Sequence, residues 1–464
     1  MYNRKKIAIL SILLPAMLII SNITANAAKP FRDLIAQAAI LAEADTGEIL
    51  YQHNINVRRP ADALTRVMTM ILVISAIENG DTDNEEIIEM TESALSDIVD
   101  KSSTMGISPG DKMPLIDLMH CAFIAGAQEA CNLLAEHIAG SVDEFVTMMN
   151  ERAEELGCDK THFTNPSGLY NADQYTTALD QYKIYREAMS YSLFEEVSGK
   201  YRYTLESDED SESRRITGAN PLLNSNSSNK YYYRQCRSGI SSITYEGGHS
   251  FAGLAESDEL SLIVVVLGSD AVIFEDKSAE MRNLTEARRL FEWGFDEFEW
   301  RTILSSTELV RKVPVVHGAG ADFVIVRAEK EIRLIVDKGI PPEEFIRTIT
   351  IYSEKLGEPL IAPIEAGTVL GEVTVTRRGE DYGTRKLIAT TGIDLHRLEF
   401  MMIQLREMLS SSIARTVIIV LILLVAAYAA LVIRYNIMRV RRLRKIKEAK
   451  KRLIEEHNDV SSKP

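Results

Sequence analysis

The sequence predicts an α/β (α+β) body, then a small all-β sandwich domain, then one C-terminal transmembrane helix. Three observations predict this. Residues 30–298 mix helical and strand patterns, and their run Leu262–Leu267 is continuously apolar, as in a strand covered on both faces. From about residue 300 to 392 the chain turns to short β-type runs separated by Gly and Pro turns. Thr416–Ile433 is a run of about 18 residues without a charge, long enough to span a bilayer.

The elements follow in order. Arg4, Lys5 and Lys6 precede the apolar stretch Ile7–Ile20, and Ala25-Asn26-Ala27 supplies a small-x-small cleavage signal. Residues 1–27 therefore read as a signal peptide. Ala38–Leu50 is a hairpin turning at Asp45-Thr46-Gly47. Ala61–Asn79 is an apolar helix stopped by Gly80. Leu115–Ile138 carries two helical runs, and Ser141 opens a helix that ends before Gly157. Ala279–Trp293 is a further amphipathic helix closing the body at residues 28–298. In the region 299–392 the strands are Val310–Val316, Phe323–Arg327, Glu331–Val336, Thr348–Tyr352 and Glu372–Thr376. Residues 393–412 form a juxtamembrane amphipathic helix, 413–434 the span, and 435–464 a basic tail that belongs on the cytoplasmic side.

The formal net charge is −15, and setting aside the two basic ends leaves roughly −25 on residues 7–433. An acidic body argues against nucleic acid as a partner. The run Glu206–Glu212 reads as a solvated loop. Cys121, Cys131, Cys158 and Cys236 form no CxxC pair and sit near no His cluster, so no metal site is expected and no cofactor is implied. Cys121 and Cys131, ten residues apart on one helical stretch, fall on different faces, and all four read as small buried apolar residues.

The segment with the most chemical content is Pro60-Ala61-Asp62-Ala63-Leu64-Thr65-Arg66. It resembles the active-site helix start of serine DD-peptidases, written proline-alanine-serine-x-threonine-lysine. The resemblance continues along the chain. Ala42–Tyr51, Met105–Asp111, Leu134–Ser141, Met149-Asn150, Leu156-Gly157, Thr161–Leu169, Thr176–Asp180, Ala362–Gly367 and Leu370-Gly371 are all similar to the text of low-molecular-mass penicillin-binding proteins, the D-alanyl-D-alanine carboxypeptidases. The resemblance implies a transpeptidase/β-lactamase-like domain, a β-sandwich and a membrane anchor. It also implies a peptidoglycan stem peptide ending in D-Ala-D-Ala, or a cell-wall synthesis protein, as partner.

Against that pattern the chemistry is missing. Ala63 stands at the nucleophile position and Arg66 at that of the lysine base. A methyl group cannot attack, and an arginine that is always protonated cannot accept a proton. Thr65 points away from Ala63, about 200° round the helix, and reads as structural; Asp62 reads as an N-cap. Counting back from Leu134 places Gly126-Ala127-Gln128 at the Ser-x-Asn motif, so the relay hydroxyl is lost and Gln128 keeps an amide. The Lys-Thr-Gly motif has three registers: Ile240-Ser241-Ser242, Ser241-Ser242-Ile243 and Arg237-Ser238-Gly239. None supplies a lysine, and Arg237 is either a carboxylate partner or a solvated edge-strand charge. These groups act as a unit, so losing all of them removes acyl-enzyme chemistry. The expectation is a membrane-anchored homologue without turnover that binds wall peptide or a partner. Its alternatives are a weakly active carboxypeptidase and a purely structural or signalling envelope protein.

Overall fold

The computed structural model describes residues 30–460 apart from 97, 99–102, 206–213, 219, 271 and 274–278, so the signal-peptide segment and the acidic run Glu206–Glu212 lie outside the described residues. The described chain divides into two units. The first runs to Thr302 and includes Arg333–Glu344; the second comprises Ile303–Ile332 and the residues from Phe345 onward.

The first unit is built on a five-stranded antiparallel sheet of β1 (Ala38–Glu43), β2 (Ile49–His53), β3 (Cys236–Thr244), β4 (Gly248–Ser257) and β5 (Leu260–Ser269), in the order β2-β1-β5-β4-β3. The predicted hairpin and the predicted apolar strand therefore meet as β1 and β5, with Ile40 opposite Val265. Alternation sorts their side chains onto two cores. Ile40, Ala42, Ile263 and Val265 face helices α1 (Thr65–Asn79), α2 (Leu115–His120), α3 (Gln128–Ala139), α4 (Val142–Glu155) and α5 (Ala178–Ala188). Leu41, Leu262, Val264 and Val266 face α6 (Arg282–Glu297) through Leu284, Leu290 and Phe291. A sheet covered on both faces needs apolar residues at every position, which is why β5 shows no polar alternation. Close packing is visible at Gly294 of α6, where a Cβ would come 2.7 Å from Leu262 and 2.8 Å from Leu41.

Several expected caps are present. Gly80 ends α1 at φ 80°, and the Ser141 hydroxyl accepts from the Glu144 N–H at 3.1 Å to start α4. The stretch from Leu115 differs from its sequence reading. After α2 the chain makes a π-helical turn, Cys121–Ala125, then breaks at Gly126 before α3. Cys121 and Cys131 therefore lie on separate helical segments rather than one, and all four cysteines are buried and outside any disulfide.

The second unit holds a six-stranded sheet. Its strands are β6 (Leu309–Val316), β7 (Phe323–Ala328), β8 (Ile346–Ile351), β9 (Leu360–Ile361), β10 (Val369–Arg377) and β11 (Glu380–Ala389), ordered β8-β10-β11-β7-β6-β9. Ile332–Asp337, one of the predicted strands of this region, instead pairs with Phe298–Leu304 in a separate two-stranded ribbon. Helix α7 (Arg397–Ser410) exposes Leu398, Met401, Met402, Leu405 and Met408. Helix α8 (Ser412–Val460) contains the one stretch among the described residues long and apolar enough to cross a membrane.

Candidate active site

The chain enters α1 through a single 3-10 turn, Asp62–Leu64. That turn lies against the edge strand β3, and the Ala63 N–H donates to Ser242 Oγ at 3.3 Å. Ala63 itself is buried. One helical turn on, Arg66 reaches inward. Its Nε donates to the Ser167 carbonyl at 3.1 Å, and one terminal nitrogen faces the carbonyls of Phe123 and Ala122 at 3.4 and 3.5 Å. Burial lowers its pKa, but a guanidinium stays charged across the pH range of proteins.

Gly126 meets Arg66 from the other side. It sits at φ 69°, and a Cβ there would come 2.6 Å from a guanidinium nitrogen. The left-handed backbone favours glycine, and a Cβ would push the guanidinium aside. The residues that the sequence places at the first two motifs are thus brought together, with the arginine head group resting on the spot a serine side chain would need. Gln128 opens α3, buried, with its main-chain N–H on the Ser103 carbonyl at 2.9 Å.

The third motif's candidate residues separate along β3. Ser242 is the one against Ala63. Ser241 points to the opposite face, where it accepts from Asn283 of α6 at 2.9 Å. Gly239 lies under the Phe251 ring and beside Asn220. Ser238, four residues and roughly 13 Å from Ser242 along the strand, is hydrogen-bonded to the Tyr185 hydroxyl at 2.8 Å. Arg237 is exposed and ion-paired with Glu256 of the neighbouring strand at 3.0 Å.

Asp62 differs from its sequence reading. It caps no helix: it sits at φ 44°, its side chain makes no capping bond, and Oδ2 accepts from Thr244 Oγ1 at 2.9 Å. The other oxygen is buried without a partner. Burial pushes the carboxyl up to about 6, the Thr244 hydroxyl opposing and Glu246 adding to the rise. Gly168 and Gly247 make room for it, since a Cβ on either would overlap Asp62. Helix start, edge strand and the loop at Ser167 are thereby latched together. Thr65, as expected, is structural: buried, it accepts from Gln174 at 3.3 Å. Sequence reasoning missed Thr244 and Ser167, whose roles depend on segments about a hundred or more residues away from the helix start. The space left beside Arg66 is a cavity of about 20 Å³ lined by Phe123, Ile124, Ser198, Lys200, Asn220 and others. Ligand pockets normally have about 300–1,000 Å³.

The comparisons agree with this architecture. The profile of the D-alanyl-D-alanine carboxypeptidase family matches residues 23–271, more than half of the chain, and that of the penicillin-binding protein 5 C-terminal domain matches residues 298–394. The chain belongs to the D-alanyl-D-alanine carboxypeptidase family. It is 27% identical to the D-alanyl-D-alanine carboxypeptidase DacF of Bacillus subtilis over 349 residues, covering 74% of this chain and 82% of that protein. It is 26% identical to DacA of Escherichia coli over 357 residues, 76% of this chain and 82% of that protein. Among solved structures, penicillin-binding protein 5 of Haemophilus influenzae has a TM-score of 0.57 at 23% identity, over 79% of this chain and 99% of that one. A peptidoglycan synthesis regulatory factor (PBP3) from Streptococcus pneumoniae reaches 0.59 at 23% identity, over 78% and 100%. At that identity the likeness speaks for the fold alone.

Proposed function

We propose that this chain is a membrane-anchored member of the carboxypeptidase family that has lost turnover and is retained to bind wall peptide or a wall-synthesis partner. The observation carrying this reading is the pair Ala63 and Arg66. A methyl group occupies the nucleophile position, and a permanent cation bound to main-chain carbonyls occupies that of the base. Neither can begin acyl transfer, and Gly126 supplies no relay hydroxyl. The narrow cavity at Arg66 favours a partner protein over a peptide buried in the cleft.

In this reading residues 1–27 are a cleaved signal peptide, residues 28–298 and 299–392 face the outside, and 413–434 cross the membrane. The tail at 435–464 is cytoplasmic. The deciding experiment incubates the full chain in detergent with a fluorescent penicillin. No label is expected to survive denaturation, whereas a covalent adduct found by mass spectrometry would overturn the proposal. Titrating a D-Ala-D-Ala peptide by NMR then separates peptide binding from partner binding.

A further inference from the structure

Helix α8 does not end where its apolar run ends. It continues as one helix from Ser412 to Val460, so the residues after Ile433 prolong the same rod. The two ends of the apolar run are unequal. Before it, Arg415 is the one cation within about two turns; after it, Arg434, Arg439, Arg441, Arg442 and Arg444 fall within about three. No acidic residue occurs between Arg415 and Glu448, and all five arginines are exposed.

Their placement distinguishes the kind of partner they suit. At about 100° per residue the five point all round the helix, leaving no gap wider than about 140°. Ile437, Met438, Val440 and Leu443, which lie between them, are exposed and spread just as widely. A helix that docks on a protein gathers its apolar residues into one stripe, and a partner on one side of this helix would leave about half of these side chains uncovered. A lipid surface surrounds a helix that passes through it. It also offers apolar and anionic contacts at the same depth.

The lengths agree. From Arg434 to Arg444 the helix rises about 15 Å. The headgroup layer is about 5–7 Å thick on each side of a bilayer, and its field reaches about one Debye length, about 8 Å, further. Within that zone the cations are arginines, and lysine first enters at Lys445, at its outer limit. Lys450, Lys451 and Arg452 start about 25 Å beyond Ile433, outside the zone. A guanidinium binds phosphate as a planar, two-pronged donor, whereas an ammonium acts as a point charge.

We propose that Arg434, Arg439, Arg441, Arg442 and Arg444 form a collar that binds the phosphate groups of anionic phospholipids and keeps a shell of them around the cytoplasmic end of the span. This inference rests on the reading of residues 413–434 as the membrane crossing. It is independent of whether the chain turns over a peptide.

The test uses the full chain reconstituted in phosphatidylcholine vesicles with traces of spin-labelled phosphatidylglycerol or phosphatidylcholine. Electron paramagnetic resonance reads the fraction of each labelled lipid immobilised against the protein. The wild type should favour phosphatidylglycerol roughly threefold at low salt, and about 1 M salt should abolish most of that preference. Combining Arg441→Gln, Arg442→Gln and Arg444→Gln should remove most of it. Combining Lys450→Gln, Lys451→Gln and Arg452→Gln deletes the same charge farther out and should leave most of it. Equal immobilisation of both lipids by the wild type, the result for a tail that serves a cytoplasmic protein instead, would overturn the proposal. Equal losses in the two triple variants would do so too. Both leaflets carry the same lipids, so the orientation of the chain in the vesicle does not enter. An alkaline wash separates the two readings: a chain stripped from the vesicles refutes the span and the collar with it, and a chain retained without lipid preference refutes the collar alone.

Discussion

The surroundings of Arg66 and of Asp62, on either side of Ala63, handle charge in opposite ways. Arg66 is met by carbonyls from Ser167, Phe123 and Ala122, with Gly126 beside its head group. Asp62 has one hydroxyl donor, one oxygen without a partner and Glu246 nearby, and its carboxyl is pushed up to about 6. The difference teaches that the arginine's surroundings are built around its charge, whereas those of the aspartate tolerate one. Main-chain carbonyls are acceptors by nature, so a cation finds partners wherever backbone is packed. A carboxylate needs N–H or O–H donors, and this end of β3 offers it a single threonine.

Four variants break or sharpen that contrast. Arg66→Met, monitored by urea unfolding, should lower stability by about 2–3 kcal/mol, because it strips several carbonyls of their donor; a gain in stability would show that the surroundings of Arg66 merely endure its cation. Gly126→Ala should cost about 2 kcal/mol, combining left-handed strain with the contact to the guanidinium. In an Arg66→Lys background that loss should shrink, and a double-mutant cycle reads the coupling.

Asp62→Asn should act in the opposite direction, raising stability at pH 7.5 by on the order of 1–2 kcal/mol. The folded carboxyl holds its proton up to about pH 6, against an ordinary value of 3.8. Its stabilising contribution is therefore complete below about pH 4 and lost as pH rises through 6. Wild type and variant should converge at pH 4 in thermal melts, and a constant difference across pH would refute the assignment. Ser242→Ala should have the smallest effect, about 0.5–1 kcal/mol, since it removes one long hydrogen bond from the Ala63 N–H.

Much of the fold was legible along the chain, and the reason is local. The apolar run at Leu262–Leu267, the turn at Asp45-Thr46-Gly47 and the stops at Gly80 and Gly157 are written in consecutive residues. β11, Glu380–Ala389, was not legible: its sequence is largely polar, and it becomes an interior strand only because β10 and β7 flank it. The strand near Glu331–Val336 was legible as a strand, whereas its pairing with Phe298–Leu304 was not. In the site, the family resemblance assigned motif positions to Ala63, Arg66 and Gly126, but it could not choose among the registers of the third motif. A run with serines at 238, 241 and 242 reads almost the same under a shift of one residue, while its side chains change face.

The sequence by itself determined which atoms are present: no hydroxyl at 63, no titratable amine at 66 and none of the lysine expected on β3. Those absences limit the chemistry in any conformation. Tertiary structure alone decided that Ser242 is the serine beside Ala63, that Arg66 fills the space over Gly126, and that Asp62 latches to Thr244 rather than capping its helix. These are contacts between segments about 60 to 180 residues apart. Local propensity cannot specify them, because each depends on how two separately formed surfaces are brought face to face by the common core.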